Sequence, residues 1–191
     1  EDSHIIIKNV GINPTRSGIL EILDKMGQNI KVRNKRLVNN EPIGDMEIKH
    51  APLKACIIEG EIIGRLIDEL PIIAVLAALA EGKTIIRDAE ELRHKETDRI
   101  KAMALELRKM GAKIEELSDG MIINGVKELR AGKLNSYGDH RIAMALSIAA
   151  LKAEGKSFIN GSEIVNISYP SFYKDLNYLM GNIWFLNFKL I

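Results

Sequence analysis

A single cysteine stands among 191 residues. That scarcity excludes an internal disulfide framework and a cysteine-based zinc site. Ala55, Ile57 and Ile58 flank Cys56 and place it in a buried strand expected near 55–58. Charge of one sign is also lacking: 27 Lys and Arg balance 26 Asp and Glu, for a net charge of +1. No general electrostatic footprint for nucleic acid or a membrane surface follows from that balance. No apolar run approaches the roughly 20 residues that span a bilayer. The longest, Leu70 to Ala80, holds Pro71 and four alanines and fits a buried helix. Also missing are a Gly-x-Gly-x-x-Gly fingerprint, a Walker loop and a metal-ligand cluster, so neither a nucleotide nor a metal cofactor is indicated. Glu1-Asp2-Ser3-His4 is polar and acidic, unlike a secretory signal, and the cytoplasm is the expected location. The chain does not begin with Met, so processing or a longer parent polypeptide is expected. With 46% apolar and 28% charged residues the composition is that of a folded globular chain. The length suits one large domain over 1–191.

What is present is repetition. A helix closing on Met-Gly and followed by an apolar strand occurs at Met26-Gly27, Met110-Gly111 and Met180-Gly181. Each glycine sits where a helix ends in a left-handed residue, which Gly adopts at least cost. A second unit opens at Asp68 and returns at Asp139, 71 residues later, and its glycines Gly82 and Gly155 are 73 apart. The later Met-Gly pairs are 70 apart and the first two 84 apart, so the repeat is near 70 residues with a degenerate first copy. The second copy predicts a strand near 55–58, helix 68–81, strand 83–88, helix 95–110, strand 112–117 and a hairpin return at 121–124. The third predicts helix 140–154, strand 156–160, helix 170–180 and a final strand 182–188. Ile100, Met103, Ala104, Leu107 and Met110 form one apolar helical stripe, and the methionines in it are core residues. The fold expected is α/β, a pseudo-threefold domain of repeated βαβαββ units.

Two helix starts break a rule. The positive end of a helix favours acidic residues. Here one start reads Arg93-His94-Lys95-Glu96-Thr97-Asp98-Arg99, with Lys95 and Arg99 one turn apart and Glu96 beside Arg99. The other reads Ser136-Tyr137-Gly138-Asp139-His140-Arg141, with Asp139 as N-cap. A solvated charged turn capped by Thr97 and Asp98 explains the first. A surface Arg141 with a partly buried His140 explains the second, and Asp68 reads equally as a plain N-cap. Alternatively the two starts converge, and their cations with two helix ends form a site for phosphate or carboxylate. Asp68, Glu96 and His140 are then the acid–base candidates.

Four segments carry a resemblance. They are Arg65-Leu66-Ile67-Asp68-Glu69-Leu70-Pro71, the run Ala89 to Arg99, Tyr137-Gly138-Asp139-His140-Arg141-Ile142-Ala143-Met144, and Ser168-Tyr169-Pro170-Ser171-Phe172. Together, and in this order, they resemble the 5-enolpyruvylshikimate-3-phosphate synthase family over residues 5 to 180. The resemblance implies a two-domain enzyme of which 1–191 is most of the C-terminal domain. The N-terminal domain, with its own phosphate- and phosphoenolpyruvate-binding residues, would be the missing partner. It implies transfer of the enolpyruvyl group of phosphoenolpyruvate to the 5-hydroxyl of shikimate 3-phosphate by addition and elimination, with no cofactor. Residue by residue, Asp68 would take the hydroxyl proton and Lys95 would bind shikimate 3-phosphate. Glu96 would protonate the methylene carbon of phosphoenolpyruvate. Arg99 and Arg141 would hold its carboxylate and phosphate, with Asp139 and His140 lining the pocket. The chain departs from the family in lacking a lysine in Val165-Asn166-Ile167-Ser168, in carrying His94 where small apolar residues are common, and in Glu91. The sister family that acts on UDP-N-acetylglucosamine shares the fold but uses a cysteine loop from the half missing here. A non-catalytic domain that binds anions is the reading of a different class.

Overall fold

A computed structural model describes residues 3–181 and the backbone of 188–190. The first unit holds β1 (His4–Gly11), α1 (Gly18–Lys25), β2 (Lys31–Val38) and β3 (Glu41–Lys49). The second holds β4 (Ile57–Ile58), α2 (Leu70–Leu79), β5 (Lys83–Ile86), α3 (Arg99–Lys109), β6 (Lys113–Leu117) and β7 (Gly120–Asn124). A short pair, β8 (Leu129–Arg130) with β10 (Ala153–Glu154), ties the second unit to the third. The third holds β9 (Lys133–Asn135), α4 (His140–Leu151), β11 (Ser157–Asn160), α5 (Phe172–Leu179) and β12 (Phe188–Leu190). Besides that two-stranded pair, the described residues form three larger sheets, ordered β1-β3-β2, β4-β5-β7-β6 and β12-β11-β9. The α/β architecture of repeated units is as expected. The first copy is degenerate, as its Met-Gly spacing implies: its sheet keeps the order seen in β5-β7-β6, but its described residues hold no counterpart of β4 and α2. The final strand expected at 182–188 lies outside the described residues, apart from Phe188 in β12.

The helices are shorter than periodicity predicts, and local chemistry sets each end. Helix 68–81 contracts to α2, because Ile67–Glu69 forms a 3₁₀ turn and Ala80 is extended at ψ 147°. Pro71 falls in the first turn of α2, where its missing N–H costs nothing. Helix 95–110 contracts to α3, since Asp98 caps it by accepting from the Lys101 amide at 3.0 Å. Glu90–His94 is a 3₁₀ helix, Lys95 is extended, and Thr97 is not the cap. Helix 140–154 stops at Leu151, because Ala153 and Glu154 are drawn into β10. Gly27 and Gly111 adopt φ +91° and +89°, the left-handed closure their spacing predicts. The strand expected at 55–58 shrinks to two residues, and Cys56 sits half-buried just before it. Burial pushes its thiol up, which suits packing better than reactivity.

The core gathers α2 and the inner face of α3 over the second sheet, with α4 packed against both helices and against β11. Ile73, Ala77, Ile100, Met103, Leu107, Ile142 and Leu146 are fully buried there. One loop passes close enough to exclude any side chain. A Cβ on Gly125 would lie 1.7 Å from the Ala80 carbonyl oxygen, a backbone atom with no freedom to retreat. Gly125→Ala is therefore expected to destabilise by about 1–3 kcal/mol through overpacking, measured by urea denaturation.

Candidate functional site

The two unusual helix starts do converge, and the residue joining them is Arg99. It opens α3 and is only 1% exposed. Its Nε donates to Asp139 Oδ2 at 2.8 Å, and Nη2 reaches Asp139 Oδ1 at 3.5 Å. Nη1 donates to Asp68 Oδ1 at 3.0 Å and Nη2 to Glu96 Oε2 at 2.6 Å. Two carboxylates from distant segments, Asp68 and Asp139, and one from the adjoining turn, Glu96, thus close around one guanidinium. Burial alone pushes the Arg99 guanidinium down, but hydrogen bonds and charge from Asp139, with help from Glu96 and Asp68, hold its pKa above the usual arginine value.

Asp139 is fully buried and serves two ends at once. Its Oδ1 caps α4 by accepting from the Arg141 amide at 2.8 Å and the Ile142 amide at 3.3 Å, while Oδ2 holds Arg99. Asp68, its counterpart one repeat earlier, makes no side-chain cap for α2. It accepts from Arg99 on one oxygen and pairs with Arg141 Nη2 at 3.1 Å on the other. Arg141 Nη1 also reaches the Asp68 carbonyl at 3.2 Å. The plain N-cap reading of Asp68 therefore fails, because two arginines compete for its carboxylate.

Lys95 lies before α3 and pairs with Glu91, so it does not share a helix face with Arg99 as the spacing predicts. The solvated-turn reading fails too, because Arg99 is buried. Internal carboxylates now stand where the sequence left room for an external anion. Glu96 remains about half exposed, and the Arg141 side chain is 32% exposed. His140 is half-buried at the first position of α4. Beside these groups runs a cavity of about 200 Å³ between α2 and α4, lined by Asp68, Glu69, Arg141 and apolar residues. Burial, and Asp68 nearby, raise the Glu69 carboxyl despite the opposing charge of Arg141. Arg141, with acids on either side, is the cation best placed to meet an anion entering this cavity.

Two residues outside the expected set shape the site. Glu106, fully buried, lies two turns along α3 from Arg99 on the same face. It accepts from the Tyr137 hydroxyl at 2.6 Å, from the Asn135 amide at 3.0 Å and from Lys109 Nζ at 2.7 Å. It thereby anchors the loop that leads into Asp139, where Tyr137 holds a left-handed φ of +55°. An acid on the buried face of an amphipathic helix is the available signal. Arg93, at the other end, gathers Asp98, Glu116 and the Leu117 and Ser118 carbonyls, fixing the approach to α3.

Among the described residues no group of His, Cys, Asp and Glu is arranged to hold a metal ion, and no helix is long and apolar enough to cross a membrane. The family described as EPSP synthase (3-phosphoshikimate 1-carboxyvinyltransferase) matches residues 1–176. A 3-phosphoshikimate 1-carboxyvinyltransferase of Crocosphaera subtropica is 56% identical over 180 residues, covering 94% of this chain and 40% of that protein. One of Syntrophomonas wolfei is 53% identical over 178 residues, covering 93% and 42%. The solved EPSP synthase of Acinetobacter baumannii superposes with a TM-score of 0.88 at 39% identity, over 94% of this chain and 42% of that one. The enolpyruvyl transferase NikO of Streptomyces tendae, 24% identical with a TM-score of 0.68, shares the fold. The chain spans about two fifths of the length of these curated relatives. Its family match, identity and fold agree: the chain belongs to the EPSP synthase (3-phosphoshikimate 1-carboxyvinyltransferase) family.

Proposed function

We propose that residues 1–191 supply the C-terminal half of a phosphoenolpyruvate–shikimate 3-phosphate enolpyruvyl transferase that operates in the cytoplasm. The observation that carries this reading is the Asp68–Arg99–Glu96–Asp139–Arg141 constellation, in a chain whose family match runs over residues 1–176. In the reaction, a proton passes to the methylene carbon of phosphoenolpyruvate and the 5-hydroxyl oxygen bonds to the adjacent carbon. The tetrahedral adduct then loses a proton and expels phosphate, restoring the double bond. Glu96 is the proton donor, and its carboxylate then faces the cationic character developing at the neighbouring carbon. Asp68 accepts the hydroxyl proton. Arg141 takes the anionic groups of phosphoenolpyruvate, Lys95 exchanges Glu91 for shikimate 3-phosphate, and His140 and Asp139 line the pocket. Arg99, committed to three carboxylates, orients Asp68 and Glu96 and adds positive potential beneath the substrate.

A site with so many acids around two arginines binds an anion only when part of this pairing is surrendered. The other half of the enzyme would supply the remaining cations and the positioning that catalysis requires. Phosphate release from phosphoenolpyruvate plus shikimate 3-phosphate is measured for this chain alone and for a mixture with a separately made N-terminal half. Activity is expected only in the mixture, with a loss of at least about 100-fold for Glu96→Gln or Arg141→Ala. A folded mixture that releases no phosphate refutes the reading and leaves a non-catalytic anion-binding domain. Release with UDP-N-acetylglucosamine in place of shikimate 3-phosphate transfers it to the sister reaction.

A further inference from the structure

Charge does not balance around the cavity between α2 and α4. Its lining carries two acids, Asp68 and Glu69, and one cation, Arg141. Arg141 already pairs with Asp68 at 3.1 Å. The rest of the lining is apolar, with Pro71 and Ile72 from α2, Met144 and Ile148 from α4 and Phe172 from α5. Apolar walls screen charge poorly. An anion admitted beside two carboxylates therefore meets a repulsion that one shared arginine offsets only in part.

Four acids gather around the two arginines, and three of them are committed. Asp139 holds Arg99 and accepts from two amides of α4. Asp68 accepts from Arg99 and pairs with Arg141. Glu96 pairs with Arg99 at 2.6 Å. Protonating any of these three discards a direct ion pair. Glu69 differs. It forms no ion pair among the described residues, and its side chain makes no cap at the start of α2.

The charged groups that line the cavity with Glu69 are few. Asp68 adjoins it in the same 3₁₀ turn before α2, and Arg141 comes from the first turn of α4. The other side chains that α4 and α5 bring to this cavity are apolar. Burial opposes the ionised form of Glu69 most, and Asp68 adds to that, while Arg141 and the amide of Glu69 itself work against them. A proton on Glu69 thus breaks no ion pair, and it removes a charge beside the incoming anion.

We infer that Glu69 is a positioning residue of this site: it takes up one proton as the anion enters, so that Arg141 meets the anion with one opposing carboxylate left in the lining. The inference rests on that part of the enzyme reading which seats an anion at Arg141. The ligand class is a compact anion bearing a phosphate, sulfate or carboxylate group. Linkage is reciprocal: an anion that prefers the protonated site strengthens the hold of Glu69 on its proton by the same factor. Binding is then tightest in mild acid. It weakens as pH rises past the point where Glu69 ionises in the empty cavity, and it levels off once Glu69 is ionised in the filled cavity too.

Inorganic sulfate is the probe, because it stays a dianion from mild acid upward and brings no proton of its own. Titration calorimetry of the 1–191 chain in two buffers of different ionisation enthalpy counts the protons taken up with each sulfate. Uptake approaching one proton is expected, with a Kd that rises by up to about ten-fold per pH unit. Glu69→Gln should bind sulfate with no uptake and no dependence on pH, whereas Glu69→Asp, which keeps a titrating group, should retain both. Arg141→Ala should weaken binding at least about ten-fold. His140, next to Arg141 in sequence, is the competing source of a proton-linked response, so uptake should persist in His140→Asn. Each variant is checked for native circular dichroism, and the proton count in the unmodified chain needs no variant. Binding without proton uptake, uptake that survives Glu69→Gln or vanishes in His140→Asn, or no binding at any pH overturns the proposal. Phosphate release by the reconstituted mixture is measured separately. A silent mixture whose C-terminal half still binds sulfate with a proton on Glu69 overturns the transferase reading alone.

Discussion

Replacing Arg99 with Met is expected to destabilise the protein by about 3–5 kcal/mol, the cost of leaving buried charge without its partner. The substitution keeps most of the volume and removes the one cation among the described residues that pairs with Asp139, a fully buried carboxylate. Asp68 keeps Arg141, and Glu96 is half exposed, so the penalty concentrates on Asp139. Adding Asp139→Asn should return most of the loss, because Asn still caps α4 while carrying no charge. Urea denaturation of the single and double variants measures the loss and its recovery. An Arg99→Met protein as stable as its parent would mean that the guanidinium does not hold these acids together.

The second large effect concerns Glu106. Glu106→Ala strips the partner from the Tyr137 hydroxyl, the Asn135 amide and Lys109, and should cost about 1–3 kcal/mol. It also has a spectroscopic signature. The hydrogen bond to Glu106, then burial and the nearby negative charge, push the Tyr137 hydroxyl up to about 12. Its folded-state pKa is raised, so its contribution is present below the ordinary tyrosine range and lost as pH rises through about 12. In Glu106→Ala one tyrosine should ionise near its ordinary value, read as tyrosinate absorbance against a Tyr137→Phe control. Glu106→Gln retains an acceptor and drops the charge, so it should fall between the two. An unchanged titration would show that the acid does not grip Tyr137.

The sequence revealed features that depend on near neighbours. The Met-Gly closures, the α4 start at His140 and the apolar stripe of α3 all follow from local spacing. Convergence of the two cationic helix starts also emerged, because both lie at or near corresponding ends of repeat units. Misjudged ends had local competitors. Asp98 cut four residues from the expected start of α3, since a good N-cap wins over a continuing periodic pattern. Arg99 illustrates what spacing hides. As one of two like charges at a helix start it pointed to an external anion, yet Asp68 and Asp139 reach it from 31 and 40 residues away. No window along the chain contains that meeting. Glu106 is hidden for a related reason: its partners come from the loop at Asn135 and Tyr137, brought to it only by folding.

The same long separations bear on the order of events in folding. A guanidinium that needs Asp68 and Asp139 from 31 and 40 residues away gains nothing from them until they arrive, and closing those loops costs entropy first. The cluster is therefore a late acquisition, formed after the helices and their apolar contacts have largely collapsed. In a chevron plot, Arg99→Met should steepen the loss on the unfolding side, with the folding rate almost unchanged. What holds the acids in place would then act chiefly as a latch, setting how long a finished molecule stays closed.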